Sequence, residues 1–97
     1  MNYHIDNNKF YQLIERGWQV IDVRDPYELK SYGKYEPSLN IPYPKIITNR
    51  ETYFPENDVK LIIVCNYGNR SGLTARNFQQ HGYENVFSLE HGLQGLL

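Results

Sequence analysis

Two hydrophobic periods alternate along this chain. Phe10, Leu13 and Ile14 recur at helical spacing behind Asp6, which suits an N-cap, and Gly17 supplies a stop, so residues 7–16 read as a helix. Trp18-Gln19-Val20-Ile21-Asp22-Val23 is rich in strand formers. The Asp25-Pro26-Tyr27-Glu28 that follows combines an N-cap, a proline at the first helical position and a capping-box glutamate, so a strand feeds a short helix. From Ser31 to Pro44 the chain carries Gly33, Pro37, Pro42 and Pro44, which leaves room only for a short extended piece around Leu39 to Ile41. Residues 43–54 are ambiguous and compatible with one helix. Turn signals at Pro55, Asn57 and Asp58 introduce Leu61-Ile62-Ile63-Val64, an unbroken apolar run that suits a strand buried on both faces. Beyond Cys65 and a polar turn, Ser71 opens a helix with Ala75 and Phe78 on its core face, which Gly82 ends. A strand over residues 85–89 and a short segment over 91–97 complete the chain. Strands alternating with helices through short connections predict an α/β fold, a small open, mainly parallel sheet flanked by helices. Ligands are then expected beyond the carboxyl ends of the strands, where Cys65 falls.

Composition narrows the possible roles. Ninety-seven residues lie near the lower end of domain size, so a single domain over residues 1–97 is expected. A hydrophobic share of 40% and a formal net charge of -1 describe an ordinary globular chain, and nucleic acid is not the partner they suggest. The run from Leu61 to Cys65 is far short of the roughly 20 apolar residues of a membrane span, and Met1-Asn2-Tyr3-His4 does not begin a secretory stretch, so no membrane partner and a cytoplasmic location are expected. With one cysteine the chain forms no internal disulfide, no Cys-x-x-Cys redox pair and no four-ligand zinc site. His4, His81 and His91 share no ligand spacing, so neither a metal nor a cofactor is implied. The thiol is either structural or reactive.

Its surroundings favour reactivity. Cys65-Asn66-Tyr67-Gly68-Asn69-Arg70-Ser71 joins a buried strand to a helix start, and the backbone must turn sharply there. Gly68 permits a positive φ, successive amide groups then point into one concavity, and the helix start adds unpaired N–H groups and a positive dipole end. Such a cradle binds anions. A thiol placed in it is expected to ionise readily, with Arg70 adding a positive charge. A lone cysteine ending a core strand is more often a small hydrophobe, but strand, cysteine, glycine turn, arginine and helix start in this order outweigh that reading.

The loop resembles the active-site loop of the rhodanese-like domains, Cys-x-x-Gly-x-Arg followed by a helix, at Cys65, Gly68 and Arg70, with Ser71 in the common next position. The resemblance extends over Asp22-Val23-Arg24 with Glu28 behind it, over Gly33 to Asn40-Ile41-Pro42, and over Gly82 to Val86 with Leu89 and Gly92. The chain departs from that family at Lys34, at Pro37-Ser38, at His91 and at Leu96. What the resemblance implies is sulfur transfer. The Cys65 thiolate takes the outer sulfur of a small donor anion such as thiosulfate, or of a persulfide, holds it as a cysteine persulfide, and passes it to an external thiol, cyanide or protein acceptor, the two half-reactions sharing one covalent intermediate.

Two other readings remain. A cysteine-dependent phosphatase or arsenate reductase also sets a thiolate and an arginine around an oxyanion, but only four residues separate Cys65 from Arg70, a shorter loop than such enzymes use. A docking or regulatory module could keep the fold without turnover. Among the secondary candidates, Asp22 and Arg24 are read as structural support for the loop, with Arg24 a candidate substrate contact, and Glu28 as a helix cap. Asn66, Tyr67 and Asn69 are read as the rim that selects the donor.

Overall fold

The structure, a computed structural model, describes residues 2–97. In chain order its elements are β1 (His4–Ile5), α1 (Asn7–Glu15), β2 (Gln19–Asp22), α2 (Pro26–Tyr32), β3 (Leu39–Asn40), α3 (Tyr43–Thr48), α4 (Arg50–Tyr53), β4 (Leu61–Val64), α5 (Asn69–Gln80), β5 (Val86–Leu89) and a closing 3-10 helix (Leu93–Leu96). The strands form one five-stranded sheet in the order β1-β5-β4-β2-β3, parallel throughout. All four residues of β4 are buried, as a central parallel strand covered on both faces requires.

Alternation along the strands splits the core into two layers. Ile21, Ile63, Cys65 and Val86 face α3, α4 and α5, where Ile46, Phe54, Ala75 and Phe78 cover them. Val20, Ile62, Val64 and Leu89 face α1 and the closing 3-10 helix, which contribute Phe10, Leu13 and Leu93. Because Cys65 continues β4 on the α5 side, its sulfur points to the layer from which α5 starts.

The sequence expectations hold for the first helix, where Asp6 Oδ1 accepts from the Lys9 N–H at 2.8 Å, and for the central strands. Three details differ. Residues 43–54 form two helices rather than one, since Asn49 leaves helical geometry (φ -119°, ψ 32°) and its side chain bonds the Lys45 carbonyl, the local competition with the backbone at which asparagine excels. The helix after the cysteine begins at Asn69, not Ser71, which tightens the loop. The two-residue β1 was not anticipated. It pairs with β5 in the register His4↔Ser88 and Ile5↔Leu89.

Candidate active site

The chain leaves β4 at Cys65 and must reverse into α5 within a few residues. Gly68, at φ 102°, makes this possible, and a side chain there would collide with the Glu90 carbonyl. Gly68 is also the residue before the first turn of α5, and it has no side-chain oxygen to cap that turn. The Cys65 sulfur fills the role, accepting from the Gly68 N–H at 3.1 Å and the Ser71 N–H at 3.4 Å. Two backbone donors at the positive end of a twelve-residue helix thus converge on a sulfur whose residue is only 2% exposed. The third contact is the Ser71 hydroxyl, 3.3 Å from the sulfur, which itself lies 2.8 Å from Ser88 Oγ.

The closing 3-10 helix braces the loop from behind. The Leu93 N–H donates to the Cys65 carbonyl at 2.9 Å and the Gln94 N–H to the Asn66 carbonyl at 3.0 Å. So close an approach needs Gly92 at φ 68°, where a Cβ would overlap the Asn66–Tyr67 peptide.

Charged residues surround this cradle in pairs. Arg24, wholly buried, grips Asp22 through Nε (3.0 Å) and Nη2 (2.8 Å), and its other donors reach Asn66 Oδ1 at 2.9 Å and the Gly33 carbonyl at 2.9 Å. Asn40 ties down the same bend by donating to the Asp22 and Arg24 carbonyls. Arg70 turns both guanidinium arms to Glu28, at 2.8 Å each. This fork holds the Glu28 carboxyl down at about 2, with the Asp25 N–H and Arg24 adding to the effect against burial, and Glu28 in turn raises Arg70. Asn66 joins the two pairs by donating from Nδ2 to Glu28 Oε1 at 3.2 Å.

The structure therefore brings Cys65, Gly68 and Ser71 into direct contact and sets Arg70 beside them with its fork engaged. It places Tyr67, 71% exposed, and the exposed Asn69 at the rim. Two expectations need correction. Asn66 is not a rim residue, because its side chain is drawn inward between Arg24 and Glu28 and the residue is 8% exposed. Arg24 is not placed to touch a substrate, since it has no exposed surface and its donors are committed internally. Sequence reasoning read Glu28 as a cap alone. It does accept from the Asp25 N–H at 2.8 Å, yet its larger contact is with Arg70, 42 positions away, which no local pattern signals. Ser88 was overlooked although a serine inside an apolar strand was a visible cue. Among the described residues no cluster of three or more His, Cys, Asp or Glu is placed to hold a metal, and no helix is long and apolar enough to cross a membrane.

Known proteins share this architecture. The chain is 34% identical over 83 residues to the thiosulfate sulfurtransferase GlpE of Pseudomonas paraeruginosa, a span that covers 86% of this chain and 73% of the relative. A rhodanese homologue from the extremely thermophilic bacterium Thermus thermophilus superposes with a TM-score of 0.76 at 29% identity, covering 97% of this chain and 99% of the other. The human single-domain sulfurtransferase TSTD1 superposes at 0.82 over 99% of this chain and 96% of its own, and at 16% identity it shows the shared fold. The family profile described as Rhodanese-like domain matches residues 6–97. With that match over nearly its whole length, the chain belongs to the rhodanese-like domain family.

Proposed function

We propose that this protein is a sulfurtransferase that carries a sulfane sulfur on Cys65. Relatives named as sulfurtransferases support that activity in general. The observation that carries the finer reading is the convergence of the Gly68 and Ser71 amides on a sulfur at a strand end.

In the first half-reaction the Cys65 thiolate attacks the outer sulfur of thiosulfate or of a persulfide. The sulfur–sulfur bond of the donor breaks, its electron pair leaves with sulfite or with the donor thiolate, and Cys65 holds a persulfide whose charge sits on the terminal sulfur. In the second, cyanide or a thiolate attacks that terminal sulfur, and the electron pair returns to Sγ. The loop amides, fixed before the reaction begins, stabilise the anion in both resting states, as an oxyanion hole stabilises oxygen. Residues 1–97 act as one unit in this scheme, since the brace behind the loop comes from the far end of the chain.

Arg70 supports the cradle by holding Glu28, and its charge is largely answered by that carboxylate. A tetrahedral phosphate ester would need the arginine fork for its own oxygens, so the Arg70–Glu28 pair favours sulfur transfer over phosphatase chemistry. The same neutralised rim favours a donor of low charge and a weak complex with the thiosulfate dianion. Steady-state kinetics with thiosulfate, a low-molecular-weight persulfide and cyanide test the scheme. Parallel double-reciprocal plots are expected for donor and acceptor, with saturation only at high thiosulfate. Intersecting plots, or phosphate release from an aryl phosphate that Cys65→Ser abolishes, would overturn it.

A further inference from the structure

Ser88 lies on β5 with no exposed surface, in register with Ile63 of β4 and His4 of β1. Its Oγ has two polar neighbours, Ser71 Oγ at 2.8 Å and the Leu89 carbonyl at 3.4 Å. A buried hydroxyl is costly unless its proton and its lone pairs are used, so the protons along Cys65, Ser71 and Ser88 can be counted. With a neutral thiol, the S–H points to Ser71 Oγ and the Ser71 proton to Ser88 Oγ. The Ser88 proton is then left with the long contact to the Leu89 carbonyl. With a thiolate every bond reverses: Ser71 donates to the sulfur, Ser88 donates to Ser71 at 2.8 Å, and the long contact is no longer needed. The bond to sulfur also becomes charge-assisted.

We propose that Ser88 is a positioning residue for Cys65, its hydroxyl aiming the Ser71 proton at the sulfur so that the relay is fully satisfied only when the sulfur carries no proton. The proposal rests on the reading of Cys65 as the sulfur-carrying nucleophile and names what readies it. A persulfidated Sγ also lacks a proton, so one orientation of the relay serves both states of the cycle and nothing has to turn during transfer.

The test is the rate of Cys65 alkylation by iodoacetamide against pH, in the whole reduced chain, for wild type, Ser88→Ala, Ser88→Thr, Ser71→Ala and the double alanine variant. The charged and titratable groups nearest the cysteine loop are Arg70 with Glu28, Asp25 beside that pair, Asp22 with Arg24 just beyond β2, Tyr43 of α3, His4 of β1 against Gly72, and Glu90, whose carbonyl packs on Gly68, and all are unchanged in these variants. Ser88→Ala is expected to move the profile about half a pH unit upward, about threefold slower alkylation at neutral pH, with the alkaline plateau unchanged. Ser88→Thr keeps a hydroxyl and is expected to follow wild type, and the double variant to superpose on Ser71→Ala. A Ser88→Ala profile identical to wild type, a threonine variant that behaves as alanine, or additive shifts in the double variant would overturn the proposal. Should Ser88→Ala fail to fold, Ser88→Gly, which also removes the hydroxyl, takes its place: the same upward shift is expected, and a profile identical to wild type would overturn the proposal. Alkylation needs no sulfur donor, so a wild type that alkylates as described but gains no sulfur would sink the proposed function and leave this relay standing.

Discussion

Two loops leave the same edge of the sheet side by side, one after β2 and one after β4, and they are built on opposite plans. The β2 loop is held by charge: Asp22 and Arg24 are wholly buried and answer one another, with Asn66, the Gly33 carbonyl and Asn40 taking up the remaining bonds. The β4 loop has no charged side chain on its sulfur. The amides of Gly68 and Ser71 donate to it, and the Ser71 hydroxyl is its third polar contact. A charged pair in the interior satisfies itself and has nothing left for a ligand, and each partner stays costly to remove. Backbone N–H groups at a helix start have no carbonyl partner within their own helix, and here the Gly68 and Ser71 amides turn to the sulfur instead. Under the proposed function, ions that cancel make the frame and dipoles that do not make the reacting centre. Asn66 belongs to both, with its backbone in the loop and its side chain in the frame.

The sharpest break of this contrast is Cys65→Ser, which is expected to lower sulfur transfer at least about a thousandfold while the melting temperature stays close to wild type. Gly68→Ala comes next. It puts a Cβ into the Glu90 carbonyl at a positive φ, and a displacement of the amides is expected to cost about a hundredfold in the first half-reaction, read by rapid mixing with donor. Asp22→Asn strikes the frame. An Arg24 left without its buried counter-charge is expected to reduce stability by about 3–5 kcal/mol, measured by urea unfolding, with the remaining folded protein still active.

Glu28→Gln is milder, about 2 kcal/mol, because Arg70 is 35% exposed and regains water. This pair also has a pH signature. The Glu28 carboxyl lies at about 2 in the fold against an ordinary 4.5, so its stabilising contribution is complete above about 4.5 and is lost as the pH falls toward about 2. The difference in unfolding free energy between wild type and Glu28→Gln should shrink over that interval, and a difference constant from about pH 5 down to about 2 would show that the ion pair does not hold the loop. The smallest effect is expected of Tyr67→Ala at the rim: stability within about 0.5 kcal/mol, and a change in the donor's KM larger than any in kcat.

Much of this division was legible in the sequence, and where it was not, distance along the chain is the reason. The run Leu61-Ile62-Ile63-Val64 announced a covered central strand, and Gly68 announced the turn that a thiol at its end would share. Both are local signals. The break at Asn49 was missed because a helical pattern continues on either side of it. β1 was missed because two residues carry no period, and their pairing with β5 spans nearly the whole chain. Arg70 looked like a free cation because its partner, Glu28, had already been explained by its cap. Asn66 looked like a rim residue for a related reason: Arg24 and Glu28 draw it inward, and neither is near it in sequence. Gly92 stood among the positions of the family resemblance, yet what it does, bringing the closing 3-10 helix against the loop peptide, is a contact only the fold creates.

The central claim is that sulfur rests on Cys65 between donor and acceptor, and the intact mass of the reduced protein tests it most directly. Mass spectra would be taken before and after brief exposure to thiosulfate or to a low-molecular-weight persulfide, with Cys65→Ser alongside. A gain of one sulfur atom, removed by cyanide or thiol and absent from the serine variant, is the predicted result. No gain from either donor, with Cys65 still open to alkylation, would contradict the account and leave a rhodanese-like module that does not turn over.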